Sequence, residues 1–400
     1  MDVKILVIGA GGYGLVYMKA LMEHIDEGKY ELDGVVEINI DTCAPYKEEL
    51  QRRKILVYKT VEEYFEEHRA DLAIISTPIA LHARQAIYAL EHGANVLCEK
   101  PIAASYEDAR AMCEASKRTG KFLAIGYQFC YTTGICNLKK DILQGVLGAP
   151  KKLKTLVLFP RGWWYYRGRW TGHIKDQNGN LILDNVISNS TAHYLHNMLY
   201  LLGDSMQKAA LPGRYSAEIL RANDIETYDT AVLRMELESG AELMMFASHA
   251  VQNEVRPVFD FTFEKAVVTF SQHHNLVARF HDGTVKDYGN PLVENDNLKK
   301  LWDVIDALTS GTELPCVAET ALPHNILINS IYEKCETQEV LAEHIIIDEE
   351  AGCTRVAGLD EMLVEGFERG ELLSEMGYDW VRRTDFVIDQ DRFPERGRKK

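Results

Sequence analysis

The chain has 400 residues, 46% of them apolar and 26% charged, which is ordinary for a globular protein and enough for two domains with cores of their own. Sixty acidic against 44 basic side chains give a net charge of -16, which argues against nucleic acid or anionic membrane as the main partner, since such a surface repels both. No apolar run reaches bilayer length, and strand pattern begins at residue 3 with no basic-then-apolar leader, so a cytoplasmic protein without membrane association is expected.

The first stretch sets the reading of the rest. An apolar run, Lys4 to Ile8, passes directly into Gly9-Ala10-Gly11-Gly12-Tyr13-Gly14, then into helical spacing from Leu15 to Ile25, and a second strand-like run from Leu32 ends at Glu37. Strand, glycine turn, helix, strand and acid, in that order, is the pattern of a dinucleotide site. Gly9 permits the turn, Gly11 lets backbone approach a pyrophosphate, and Gly14 lets helix and strand pack closely, while the helix N-terminus offers N–H groups and partial positive charge. Gly12 and Tyr13 complete the loop. A carboxylate at Glu37 accepts from ribose hydroxyls and repels a 2'-phosphate, and no arginine follows among Ile38, Asn39, Ile40 and Asp41, so NAD is expected over NADP.

Strands and helices then alternate. Asp71 to Ile75 is a continuous apolar run, of the kind buried on both faces of a parallel sheet, and it ends in Ser76-Thr77-Pro78. Leu81 to His92 reads as a helix closed by Gly93, and Asn95 to Cys98 as a strand ending in Glu99-Lys100-Pro101. Tyr106 to Arg118 is a helix stopped at Gly120, followed by a strand from Phe122 to Ile125. The expected architecture is a doubly wound parallel (Rossmann) sheet over 1–125, with Gly9 to Gly14, Ser76 to His82 and Glu99 to Pro101 meeting at one edge.

Beyond residue 125 the texture changes to α+β, with a domain at 126–335 built on an open, mostly antiparallel sheet. Leu153 to Phe159 is strand-like, and an aromatic and basic cluster runs from Arg161 through Trp163, Trp164, Tyr165, Tyr166, Arg167 and Arg169 to Trp170. A helix is expected within Asp184 to Gly203, with Asn189, His193, His196, Asn197 and Tyr200 on a polar face opposite Leu195, Met198, Leu199 and Leu202. Two hairpins are expected, Ala231 to Ala247 around Gly240 and Leu276 to Tyr288 around Gly283. Helices from about Asn297 to Thr309 and from Glu319 to Cys335 follow. An acidic extension, 336–400, carries one amphipathic helix, about Leu359 to Leu373, and a basic tail, Arg396 to Lys400. Leu233, Met235, Met244 and Phe246 suggest a sheet face that buries a partner, so a homo-oligomer, dimer or tetramer, is expected.

Lys100, fixed by Pro101 at the sheet edge, is placed to bond a substrate oxygen and stabilise alkoxide-like charge as hydride leaves; on position alone it equally reads as a strand-end lysine. Asn189 and His193 suit a cleft wall better than a solvated face. No carboxylate or cysteine stands at ligand spacing to the histidines, and Cys43, Cys98, Cys113, Cys130, Cys136, Cys316, Cys335 and Cys353 form no CxxC pair, so no metal and no disulfide framework is expected. Trp163, Arg167 and Trp170 are candidates for substrate contact, because aromatic faces cover the C–H side of a sugar or inositol ring and guanidinium groups bond hydroxyls or a carboxylate.

Taken together, Gly9 to Gly14, Thr77-Pro78 with His82, Glu99-Lys100-Pro101, and Asn189-x-x-x-His193 before Leu201-Leu202-Gly203 resemble the glucose-fructose oxidoreductase / inositol dehydrogenase (Gfo/Idh/MocA) family, over roughly residues 1–335. The resemblance implies an N-terminal Rossmann domain, a C-terminal open antiparallel sheet with oligomer contacts on one face, and NAD(P)-linked redox chemistry at a secondary alcohol of a sugar, sugar acid or cyclitol. It further implies that Lys100 is the motif lysine and His193 the catalytic histidine. The motif aspartate aligns with Asn189, which positions a hydroxyl but supplies no negative charge to an imidazolium; a substrate group or Asp184 is left to do so. A dehydrogenase is the main reading. NAD-assisted glycoside cleavage through a transient keto-sugar, and a non-catalytic sugar or NAD sensor, are the alternatives.

Overall fold

The computed structural model describes residues 3–168, 170–293 and 298–388. They fall into two compact units, Met1–Thr132 with Val293–Leu322, and Thr133–Leu292 with Pro323–Lys400. The sequence boundaries at 125/126 and 335/336 differ from this division: 126–132 and a returning segment, 293–322, join the first unit, and the residues after 336 belong to the second. Arg169, the expected helix start at Asn297 and the basic tail from Arg396 lie outside the described residues.

In the first unit the strands are β1 (Val3–Ile8), β2 (Tyr30–Val36), β3 (Leu56–Tyr58), β4 (Leu72–Ile75), β5 (Asn95–Cys98) and β6 (Leu123–Ile125). They pair in parallel in the order β3-β2-β1-β4-β5-β6, with α1 (Gly14–His24), α2 (Lys47–Arg53), α3 (Val61–Glu67), α4 (Ile79–Glu91) and α5 (Tyr106–Thr119) along the connections. This is the expected Rossmann sheet, and every residue of β4 is buried, as a strand covered on both faces requires. Local signals agree with the tertiary outcome. Thr60 and Glu63 form a reciprocal capping box at α3, Ser105 caps α5 by accepting from the Asp108 N–H, and Gly120 closes α5 in the left-handed conformation.

The register places the functional turns. Ile8 pairs with Ile75, Ile75 with Cys98, and Cys98 with Ile125, so the chain leaves β1, β4 and β5 at the same level of the sheet. The strand order reverses between β1 and β4, the point at which open α/β sheets form their ligand crevice.

The second unit is a ten-stranded sheet. Its strands are β7 (Pro150–Leu158), β8 (Arg214–Arg221), β9 (Thr230–Glu236), β10 (Glu242–Ser248), β11 (Val255–Phe263), β12 (Ala266–Ser271), β13 (His274–Phe280), β14 (Val285–Asp287), β15 (Gln338–Glu339) and, after the separate hairpin β16 (Ile345–Asp348)–β17 (Cys353–Val356), β18 (Thr384–Val387). Pairing is antiparallel except β7 with β10 and β8 with β15, which bears out the mostly antiparallel expectation and both hairpins. Three helices precede β8: α6 (Thr133–Leu143), the single turn α7 (Trp163–Tyr166) and α8 (Ala192–Leu201).

Two expectations are corrected here. Leu233, Met235, Met244 and Phe246 are fully buried within the chain itself, so they form no open face for a partner. Met244 and Phe246 share a core with Leu156, Val232, Met362, Leu363 and Phe367, because the helix Leu359–Arg369 from the extension lies on that side of the sheet. Leu233 and Met235 alternate to the reverse face of β9. Polar bonds hold the cover down. The Glu218 carboxylate accepts from the Leu373 and Ser374 N–H groups at 2.9 Å each, Arg234 forks onto Glu375 at 2.5 and 2.6 Å, and the Lys154 ammonium donates to the Phe367 carbonyl at 2.8 Å. Burial drives the Glu218 pKa up in spite of those N–H bonds.

Residues 184–203 do not form one continuous helix. Residues Val186–Ser190 form a π-type turn, and regular helix starts at Ala192, so Asn189 stands in the turn ahead of the helix that carries His193. His196, Asn197 and Tyr200 are fully buried; α8 is enclosed on nearly all sides and shows no solvated polar face.

Phe367 packs edge-on against Phe246 with ring centroids 6.1 Å apart. Phe367→Ala is therefore expected to destabilise the second unit by roughly 3–5 kcal/mol, read as a lower urea midpoint at unchanged slope.

Candidate active site

At the end of β1 the chain turns through Gly9 with φ +82°, a backbone region open to glycine, and a Cβ there would stand 2.8 Å from Thr77 Cγ2. Gly14 is required by contact: a Cβ would meet the Gly9 carbonyl oxygen at 2.1 Å. Ser76 bonds the same carbonyl from the neighbouring strand end at 2.7 Å. The loop is thus welded to β4, and α1 starts with no side-chain cap and no acid in its first turn. The first N–H groups of this 11-residue helix, those of Gly14, Leu15 and Val16, turn back onto the carbonyls of Gly11, Gly12 and Tyr13, so what the helix start offers an anion is the positive end of its dipole.

Glu37 is buried at the end of β2. Its carboxylate accepts from the Ala10 N–H at 2.9 Å and the Gly11 N–H at 3.2 Å, and through its other oxygen from the Asn39 N–H at 3.0 Å. The acid therefore shapes the glycine loop as well as setting its charge. A 2'-phosphate here would be desolvated beside a fixed negative charge.

The turns after β4 and β5 are tied together by His82. One ring nitrogen lies 2.9 Å from the Thr77 carbonyl and the other 3.0 Å from the Pro101 carbonyl, so the ring is occupied as a staple between the two turns. Burial holds this imidazole below its usual pKa against the pull of those carbonyls, so the neutral ring donates to one of them at a time. Thr77 donates to Gln85 at 2.5 Å, and Pro78 precedes α4.

Glu99 has a role beyond its motif. The carboxylate, 7% exposed, accepts from the Tyr17 hydroxyl at 2.5 Å and from the backbone N–H of Lys100 at 3.2 Å, and forms an ion pair with Lys300, which is 0% exposed. Lys300 comes from the returning segment, 201 residues on, and also bonds the Gly126 carbonyl at 3.3 Å and lies 3.4 Å from the Tyr13 hydroxyl. Burial alone would neutralise both partners. The Lys300 charge and the hydrogen bonds outweigh it and hold Glu99 below the ordinary carboxylate range, while Glu99 holds Lys300 above the ordinary lysine value. No local pattern marks Lys300 in the sequence, where it reads as one of two adjacent lysines on an amphipathic helix.

In the second unit Asn189 donates its amide N–H to Asp184 at 2.8 Å, and the other Asp184 oxygen accepts from the Gly172 N–H at 2.6 Å. Asp184 therefore orients Asn189. His193, half-buried, opens the helix that follows. The aromatic cluster is bonded to the same turn through His249, a residue that its spacing gave no reason to select. The Tyr166 hydroxyl lies 3.1 Å from His249 Nδ1, and the Ser190 hydroxyl 2.5 Å from His249 Nε2. Burial, reinforced by the Arg161 guanidinium, pushes the His249 pKa down to about 3, so the ring is neutral, accepting from one hydroxyl and donating to the other. Trp163 is held by the extension, its indole N–H donating to Thr354 Oγ1 at 3.0 Å and its backbone N–H to the Gly352 carbonyl at 2.7 Å. Arg167 is exposed and Trp170 half-buried.

Residues 3–127 match the family described as "Oxidoreductase family, NAD-binding Rossmann fold" (GFO_IDH_MocA). Over these residues the chain is similar to the NAD-binding domain of the Gfo/Idh/MocA oxidoreductases. An uncharacterized oxidoreductase of Streptococcus pneumoniae is 33% identical over 36% of this chain and 38% of its own length. The scyllo-inositol 2-dehydrogenase (NAD(+)) of Bacillus subtilis is 26% identical over 60% of this chain and 65% of its own. The chain thus spans 38% and 65% of the lengths of these two relatives, less than two thirds in each case. Among solved structures, an oxidoreductase from Agrobacterium radiobacter in complex with NAD+, L-tartaric acid and magnesium superposes with TM-score 0.68 at 19% identity, covering 83% of this chain and 96% of its own, which is a likeness of fold. Among the described residues, no helix is long and apolar enough to cross a membrane.

Replacing Lys300 by Met leaves Glu99 buried without its cation, with an expected loss of roughly 3–5 kcal/mol. The pH dependence carries the sign. In the wild type the lowered Glu99 pKa contributes stability above the unfolded value of about 4.3 that is lost as pH falls through the folded one. In Lys300→Met the orphaned carboxyl titrates above its unfolded value, so its contribution falls as pH rises. Urea unfolding of both proteins between pH 4 and 7 measures the difference in slope.

Proposed function

We propose that the protein is an NAD-dependent oxidoreductase that moves hydride between nicotinamide and a secondary alcohol of a sugar, glycoside or cyclitol. The observation that carries this reading is the uncapped start of α1 under a glycine loop whose N–H groups are organised by Glu37. That site suits a pyrophosphate joined to an unphosphorylated ribose. The substrate class is supported by the relative named for scyllo-inositol and by the aromatic segment bonded to the Asn189 turn.

When bound, NAD supplies the hydride acceptor. The Lys100 ammonium bonds the substrate oxygen and stabilises negative charge as it develops there. The His193 imidazole accepts the hydroxyl proton at a ring nitrogen as general base. Asn189, oriented by Asp184, positions a substrate hydroxyl, and the Asp184 carboxylate behind it supplies the negative charge that an asparagine lacks. The Glu99–Lys300 pair and the Tyr17 hydroxyl hold the backbone of Lys100 in place.

The test is turnover with NAD and a panel of aldoses, glycosides and inositols, followed by the absorbance of reduced nicotinamide. Lys100→Ala and His193→Ala are each expected to lower kcat by about 100-fold or more while NAD affinity stays within a few-fold of wild type. Wild-type rates in either variant overturn the assigned role.

A further inference from the structure

The single turn α7 is held at both ends. At its start, Gly162 pairs in antiparallel fashion with Cys353, and Trp163 is bonded to Gly352 and Thr354 of the extension. At its end, Tyr166 is bonded to His249 and through it to Ser190. Between these anchors Trp164 stands 68% exposed, while Trp163, Tyr165, Tyr166 and Trp170 are half-buried, and it is part of neither anchor. Its indole is nonetheless fixed in direction. Atoms Cδ1 and Nε1 lie 2.8 and 2.9 Å from where a Cβ on Gly162 would be, so the ring rests on the glycine backbone, in a position that any other residue at 162 would obstruct. The Tyr165 ring meets it edge-on, with centroids 6.0 Å apart and planes at 89°. Arg167, three residues on, is also exposed.

An indole with one side packed on backbone and the rest open to water is an apolar platform set in advance. A mobile surface tryptophan would fold down onto neighbouring apolar groups; the two anchors and the Tyr165 edge prevent that. The C–H face of a pyranose fits such a platform, and the exposed guanidinium three residues on is a donor suited to ring hydroxyls. The Asn189 turn, which Tyr166 reaches through His249, serves the ring that reacts, under the function proposed above, and Trp164 stands outside that bonded set.

We propose that Trp164, with Arg167, forms a stacking subsite for a second sugar ring, so that the substrate is a disaccharide or glycoside with a sugar aglycone in place of a free monosaccharide. This rests on the reading of the protein as a sugar-ring oxidoreductase. Stacking ligands of this size contribute about tenfold in affinity.

The test uses the full chain with NAD and matched probes: glucose with maltose and cellobiose, and galactose with lactose and melibiose. Turnover is read by reduced nicotinamide and binding by calorimetry. Wild type is expected to favour at least one disaccharide over its monosaccharide by about tenfold in kcat/KM, through KM. Trp164→Ala is expected to abolish that preference and leave the monosaccharide constants unchanged, and Trp164→Tyr to restore most of it. A wild type that handles both members of each pair equally, or a Trp164→Ala variant that keeps the preference, overturns the subsite and leaves the redox reading intact. Binding of disaccharide without any reduction of NAD, lost in Trp164→Ala, upholds the subsite and removes the dehydrogenase reading. Absence of both binding and turnover with all probes overturns the subsite.

Discussion

The parallel register of β1, β4 and β5 is the constraint on which the nucleotide-binding unit depends. Because Ile8, Ile75 and Cys98 pair across the sheet, the three polar turns that follow them leave at one level. Secondary bonds then lock those turns to each other: Ser76 to the Gly9 carbonyl, His82 between Thr77 and Pro101, and Glu99 beneath Lys100. A slip of one residue in any of these strands would turn buried side chains toward the wrong face and carry the turns apart. The glycine loop therefore has its shape from hydrogen bonds made by the protein alone, and Glu37, bonded to the N–H groups of Ala10 and Gly11, is part of that shape.

Much of this unit was legible in the chain because its signals are local. Apolar runs, glycine turns, capping residues and the acid after β2 lie within a few residues of the structure that they specify. Lys300 was not legible, since its role exists only where a helix from 293–322 returns to the β5 edge, and no spacing along the chain encodes that encounter. The polar line of α8 misled for a related reason. Histidine, asparagine and tyrosine at helical spacing suit a cleft wall and an enclosed interior alike, and their burial is decided by what packs around them. His249 carried no motif, and its part became visible only where strand β10 ends beside Tyr166 and Ser190.

The apolar sheet residues show a different limit. Their pattern correctly marks a face that has to be covered, and it is silent about the cover. Met244 and Phe246 are sealed by Met362, Leu363 and Phe367, and the polar residues among them, Glu218, Arg234 and Lys154, are each matched to backbone or side-chain groups of the same segment. The extension is thereby an integral layer of the second unit. Through Gly352 and Thr354 it also fixes the aromatic turn α7.

That layer has a consequence for how the protein is made. Synthesis runs from β7 through β14 well before Leu359–Arg369 exists, so the nascent sheet emerges with Leu156, Met244 and Phe246 uncovered. Until the later helix arrives, this surface is uncovered apolar area of the kind that chaperones and neighbouring nascent chains bind.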